Sequence, residues 1–144
     1  MTTADLKLSV RFSSIPIRPS QSALSGNGHV QDETAAAEVV FFGRVQPFSI
    51  DRHDRRVIGI DYDIPENDFK RKVSEIIEEF KKAIPELKSV DVLHRTGFVA
   101  VGDYTSVTTI CSRHRTSAAH ALDIIIGRMK SEAPFVKKEI FEYK

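Results

Sequence analysis

Apolar and polar positions along this chain follow two periods, one of two residues and one of three to four. Leu6, Leu8, Val10 and Phe12 alternate with polar neighbours, which predicts a half-buried first strand. Ser13 to Gly28 collects Ser, Pro, Gly and Asn and reads as a long, mobile surface loop with no function of its own. Val39 to Val45 is an apolar run rich in β-branched and aromatic residues, so a buried strand is expected there. Val57 to Asp63 predicts another strand, with Ile58, Ile60 and Tyr62 on one face. Between those two lies a charged loop, Pro47 to Arg56, holding Arg52, His53, Arg55 and Arg56.

The period then changes. Phe69, Val73, Ile76, Ile77 and Phe80 form the stripe of a core-facing helix over about Ile64 to Ala83. Asp63 can cap its start, with Glu66 three residues on completing a capping box, and Pro85 helps to end it. Val90 to Arg95 and Tyr104 to Cys111 predict two more strands, joined through Gly97 and Gly102-Asp103. A second helix is predicted over about Thr116 to Lys130, with Ala118, Ala121, Leu122, Ile125 and Met129 facing inward. Pro134 cannot continue it, and Phe135 to Tyr143 returns to strand-like composition. The order β, β, β, α, β, β, α, β indicates an α+β fold, with helices packed on a mixed or antiparallel sheet.

At 144 residues the chain has the usual size of one domain, long enough to bury a core without a disulfide or metal staple. Lys and Arg number 21 and Asp and Glu 20, a formal net charge of +1. That balance gives no global attraction to nucleic acid or membranes, so any anion site must be local. Cys111 is the single cysteine, which excludes an internal disulfide and a multi-cysteine zinc site and fits a reducing, cytoplasmic setting. The N-terminus lacks a signal-peptide core and no long apolar run occurs, so a soluble protein is expected.

Candidate chemistry concentrates near the second helix. Ser112-Arg113-His114-Arg115-Thr116 joins a strand end to a helix start, where free backbone N–H groups and the helix dipole favour an anion. A solvated polar turn capped by Thr116 is the plain alternative. Lys130 lies in the last helical turn, and Lys137 and Lys138 follow the Ala-Pro break on a predicted strand, where only one of them can face a given pocket. Arg115 and Lys130 are fifteen residues apart, which is about 22 Å along an α-helix. One small anion cannot be gripped by both ends. If both serve one site, a second copy must supply the other half, which predicts a two-fold dimer with a shared site.

Cys111 reads as a packed structural cysteine, and His94-Arg95-Thr96-Gly97 as a structural strand-to-turn junction with Gly97 supplying the turn. His53 and His120 have no ligand-spaced partners, so no metal site is expected. No P-loop, GxGxxG or GxSxG pattern is present.

Taken in order, VVFFGRV (Val39–Val45), IDYDIPE (Ile60–Glu66), HRTGFVAVGD (His94–Asp103), SRHRTSA (Ser112–Ala118) and the K-x-x-APF-x-KKE run (Lys130–Glu139) resemble the catalytic (large) subunit family of molybdopterin synthase. The resemblance covers roughly Ala37 to Tyr143. Residues 37–144 would then form the family-like domain, with residues 1–36 adding a strand and a loop to it.

The resemblance implies an α/β hammerhead-type fold and a central homodimer within a heterotetramer. A small ubiquitin-like sulfur-carrier subunit would dock at each end and insert its C-terminal Gly-Gly thiocarboxylate. Two sulfurs would pass to cyclic pyranopterin monophosphate, forming the molybdopterin dithiolene, with no cofactor called for. By motif, Lys130 and Lys137 would be the catalytic lysines, and Phe41 and Ile126 would line the pocket. His114 and Arg115 would bind substrate phosphate from the partner protomer. A free lysine titrates near 10.4, so a general-base role would require burial or cationic neighbours.

Two departures stand out. Gln46 occupies a position where the family usually has arginine, so one anion contact is weakened; Arg44, on the same strand face, or Arg52, Arg55 or Arg56 could compensate. The chain also ends at Lys144, before the family's tryptophan-containing basic tail. These departures leave room for a rival reading, a diverged non-catalytic homologue acting as a dimeric binding module for a ubiquitin-like carrier.

Overall fold

The structure is a computed structural model that describes residues 6–21, 34–49, 52 and 54–143. Its elements are β1 (Lys7–Ser13), β2 (Ala37–Arg44), β3 (Val57–Asp63), α1 (Glu66–Ala83), β4 (Leu87–Arg95), β5 (Gly97–Ala100), β6 (Tyr104–Ser112), α2 (Arg115–Glu132) and β7 (Val136–Phe141). They build a mixed four-stranded sheet, ordered β1-β4-β6-β2, and a three-stranded sheet, ordered β5-β3-β7. β1 runs parallel to β4; the other pairings are antiparallel. This is the α+β arrangement that the periodicity indicated.

The stripe on α1 seats the helix. Phe69, Val73, Ile76, Ile77 and Phe80 are all buried, and burying each large side chain contributes roughly 1.5–3 kcal/mol. α2 turns Ala118, Ala121, Ile125 and Met129 inward, with Leu122 half-buried beside them, and packs on β2, β4 and β6. One core joins both helices to Val90, Val92 and Ile110 of the larger sheet and to Val57, Ile60, Tyr62 and Val99 of the smaller. On the larger sheet's other face, Leu93 and Val107 pack with Ile17.

Several expectations need correction. α1 takes Pro65 as its N-cap, with no side-chain cap bond, because Asp63 is held in β3 opposite Val136. The capping box is therefore absent. A register shift between Val57 and Gly59 turns Val57 into the core and leaves Ile58 exposed, so Ile58 does not share the face of Ile60 and Tyr62. β2 is half-buried, not buried, because among the described residues it is an edge strand paired with β6 alone. Gly97–Ala100, read as a connection, is β5, paired with β3 from Gly59 to Tyr62.

Gly97 does supply the turn that precedes β5, at φ +78°. Of the loop Ser13–Gly28, residues 22–28 lie outside the described residues, as does His53. The described part is not purely superficial: Ile17 is 5% exposed against Leu93 and Val107. Among the described residues no helix is long and apolar enough to cross a membrane.

Candidate functional site

Lys130 and Lys137 flank one short connection between α2 and β7. The connection is anchored, since Ala133 is buried and Phe135 packs into the aromatic group of Tyr62, Phe69 and His94. Lys130 stands in the last turn of α2 and Lys137 on β7, both exposed. Neither engages in an ion pair among the described residues. The β3–β7 register separates the two adjacent lysines. Lys137 lies opposite Tyr62, on the face that turns Ile60 and Tyr62 to the core, whereas Lys138 lies opposite Asp61 on the reverse face.

Tyr62 thus carries Lys137 as its cross-strand neighbour, with Cβ atoms about 4.5–5.5 Å apart in such pairs. Burial pushes the Tyr62 phenol up to about 12, so it is neutral at physiological pH. Its ring meets His94 edge-on at 5.0 Å. Sequence periodicity placed Tyr62 on a core-facing strand but gave no link to Lys137, because pairing register is not a local property.

His114 is the N-cap of α2 and Arg115 its first residue, both exposed. His114 makes no side-chain cap bond, so the first helical N–H groups keep their free positive character. Thr116 is not the cap. The turn is held instead by hydroxyls: Ser112 Oγ lies 2.6 Å from Ser117 Oγ and donates to Glu86 O at 3.1 Å, and Ser117 Oγ donates to His114 O at 2.8 Å. Both serines stand in SRHRTSA, yet only the folded chain reveals that they bond to each other.

α2 spans Arg115–Glu132 without interruption, so the His114–Arg115 pair and Lys130 occupy its opposite ends. Phe41, half-buried on β2, lies opposite Thr108 of β6. Ile126 is half-buried on α2 and packs against the main core. Ile126 therefore belongs to the layer between α2 and the sheet, while Phe41 shares the β2 face of Val39, which packs on the same core.

Gln46 is exposed just beyond β2. Of the arginines that could stand in for a cation there, Arg56 is exposed and its side chain has no partner among the described residues, whereas the other three do. Arg44 Nη2 donates to Tyr104 Oη at 3.1 Å, with its guanidinium 4.9 Å from that ring's centre. Arg52 faces Asp54 at 3.5 Å. Arg55 lies 4.8 Å over the Phe141 ring and donates to Glu142 O at 3.4 Å. Such cation–π and exposed ion-pair contacts are each worth about 1 kcal/mol or less, weak enough to be exchanged for an anion.

Cys111 is 2% exposed and burial pushes its thiol up, the opposite of what an activated nucleophile needs. Arg95, also buried, donates to Phe98 O at 2.8 Å and Ser14 O at 3.5 Å, tying β5 to the end of β1. The HRTG segment is structural. Among the described residues no group of three or more His, Cys, Asp or Glu could hold a metal ion.

The molybdopterin synthase catalytic subunit of Drosophila grimshawi is 30% identical over 112 residues, 77% of this chain and 30% of the fly protein. The chain thus spans about a third of the length of such fly relatives. Molybdopterin synthase catalytic subunit 1 of Aedes aegypti is 29% identical over 114 residues, covering 78% of this chain and 71% of the mosquito protein. A structure of molybdopterin synthase from Staphylococcus aureus shares the fold, with a TM-score of 0.75 at 24% identity over 100% of this chain and 95% of that one. So does a chain of the complex of subunits 1 and 2 of molybdopterin-converting factor from Helicobacter pylori, with a TM-score of 0.69 at 19% identity, over 98% of this chain and 88% of that one. A family model described as MoaE protein matches residues 18–132, well over half of the sequence. The chain belongs to the MoaE protein family.

Proposed function

We propose that this chain is the catalytic subunit of a molybdopterin synthase. It transfers sulfur from the C-terminal thiocarboxylate of a small ubiquitin-like carrier to cyclic pyranopterin monophosphate, building the dithiolene of molybdopterin. The observation that carries the reading is that Lys130 and Lys137, at the two ends of one anchored connection, are exposed and without an ion pair among the described residues. Thiocarboxylate and pterin phosphate are both anions, and two fixed cations offset their repulsion and stabilise charge developing on oxygen and sulfur. His114 and Arg115 bind the substrate phosphate. Since they lie at the far end of α2 from Lys130, a complete site takes its phosphate grip from a second protomer, within a homodimer carrying one carrier subunit at each end. Phe41 and Ile126 give the pocket its apolar wall. Cytoplasmic location goes with this biosynthetic role.

One observation favours a second reading. Gln46 supplies no charge where the resemblance leads one to expect a cation, which suits a dimeric binding module that holds a carrier tail without transferring sulfur. The test mixes purified chain, thiocarboxylated carrier and pyranopterin substrate and measures dithiolene product. Product is expected from the unaltered chain, and Lys130→Ala or Lys137→Ala should abolish it while the dimer persists. Normal turnover in both variants would defeat the assignment; no product from the unaltered chain, with the carrier bound, would favour the binding module.

A further inference from the structure

We infer that Ser117, working with Ser112, is a positioning residue that sets the His114–Arg115 pair for its anionic ligand; this rests on the phosphate-binding role proposed above for that pair. Ser112 ends β6 and is 0% exposed, held in register between Leu87 of β4 and Ala37 of β2. It is a rigid point fixed by strands on both sides. Ser117, three residues after the N-cap, reaches back to that point at 2.6 Å and to His114 O at 2.8 Å. On the other flank of His114, Arg113 N–H donates to Glu86 O at 3.0 Å. The backbone that bears His114 and Arg115 is therefore clamped before and after them.

Two hydroxyl protons serve three contacts. With Ser112 donating to Ser117 and Ser117 to His114 O, Glu86 O still accepts from Arg113 N–H. With Ser117 donating to Ser112 and Ser112 to Glu86 O, His114 O still accepts from Ala118 N–H at 3.0 Å. Every group is satisfied either way, so the short link between strand and helix persists in both arrangements.

The placement of the hydroxyl also matters. Serine at the N-cap would bond forward to the first-turn N–H groups and consume them. Here serine lies one turn later and bonds backward to a carbonyl, fixing the helix start while His114 leaves those N–H groups uncapped. The geometry holds the turn and keeps its positive end open.

The test uses the full chain with thiocarboxylated carrier and pyranopterin substrate, comparing Ser117→Ala and Ser117→Thr with the unaltered protein. Ser117→Ala should raise KM for the pterin roughly tenfold while kcat stays within about twofold, and Ser117→Thr should restore KM. A second arm titrates inorganic phosphate while following the His114 ring by NMR. Ser117→Ala should weaken that binding by a similar factor without lowering Tm. Equal KM and equal phosphate binding in all three proteins would overturn the inference. A fall in kcat and Tm together, not rescued by threonine, would also overturn it, by showing a merely structural role. If the unaltered chain makes no product yet loses phosphate binding on Ser117→Ala, positioning stands and the synthase reading fails. Absence of both product and phosphate binding in the unaltered chain would sink both.

Discussion

Tyr62 and Lys137 are directly opposed across β3 and β7, on the face that turns toward the core. One is 8% exposed and neutral, the other exposed and cationic at its tip. A lysine stem can lie along such a ring while its charged end reaches solvent. Tyr62 thereby separates the role of Lys137 from that of the adjacent Lys138, which lies opposite Asp61. If this face is what matters, Lys137→Ala should cost the proposed sulfur transfer at least 100-fold more than Lys138→Ala, an order-of-magnitude expectation for losing a charge-stabilising group. Steady-state rates of the two variants check it, and equal losses would contradict the register argument.

Gln46 invites the reverse substitution. Arg44, Arg52 and Arg55 are tied by weak, exchangeable contacts and Arg56 is exposed, so compensation for the missing charge can be tested directly. Gln46→Arg should change product formation by less than about threefold, since exposed charge pairs contribute little. A large gain would mean that no arginine compensates.

His94 gives a pH dependence. Burial among Tyr62, Phe69 and Phe135 lowers its pKa below the ordinary 6.5, only partly offset by the bond from Nδ1–H to Arg95 O. The unfolded chain therefore binds the proton more readily than the folded one. Stability from this residue is fully present above 6.5 and declines as pH falls from there toward the lowered folded value. Tm should drop on going from about pH 7.5 to about pH 5.5, and His94→Gln should flatten that part of the profile. An unchanged slope in the variant would assign the effect to other groups.

Lys81 is 1% exposed and its Nζ donates to Pro85 O at 2.5 Å and Leu87 O at 2.8 Å. It gathers carbonyls at the turn between α1 and β4. Lys81→Met keeps the stem but leaves those acceptors without their donor, at a cost of about 1–3 kcal/mol. Chemical denaturation should show that loss, and an unaltered midpoint would mean that water replaces the ammonium.

Gly59 is required by close approach. A Cβ there would stand 2.3 Å from Phe98 Cζ and 2.7 Å from Val99 O. The ring can swing away, being 48% exposed, but the carbonyl belongs to the paired strand. Gly59→Ala should destabilise by about 1–3 kcal/mol. Adding Phe98→Ala should recover only part of it, because the backbone clash remains.

Much of this fold was legible in the residues. The α1 stripe gave the helix and its buried face because a 3.6-residue period is a property of neighbours along the chain. The bounds of β3 and the strand nature of β7 followed equally from local composition. The motif runs carried the family, and with it Lys130, Lys137, His114 and Arg115 as candidate groups. What the helix length could do was put Arg115 and Lys130 at opposite ends.

Tertiary structure decided the rest, since pairing and solvent access depend on residues distant in sequence. The shift between Val57 and Gly59 flipped Ile58 outward against its alternation. Edge position left β2 half-buried despite its apolar run, and pairing with β3 made a strand of Gly97–Ala100. Asp63, held opposite Val136, was lost as a helix cap. Register alone distinguished Lys137 from Lys138, and only the approach of β6 to α2 joined Ser112 to Ser117. Hydropathy along a chain says which positions prefer to be dry; which strand lies beside which is settled when the whole core closes.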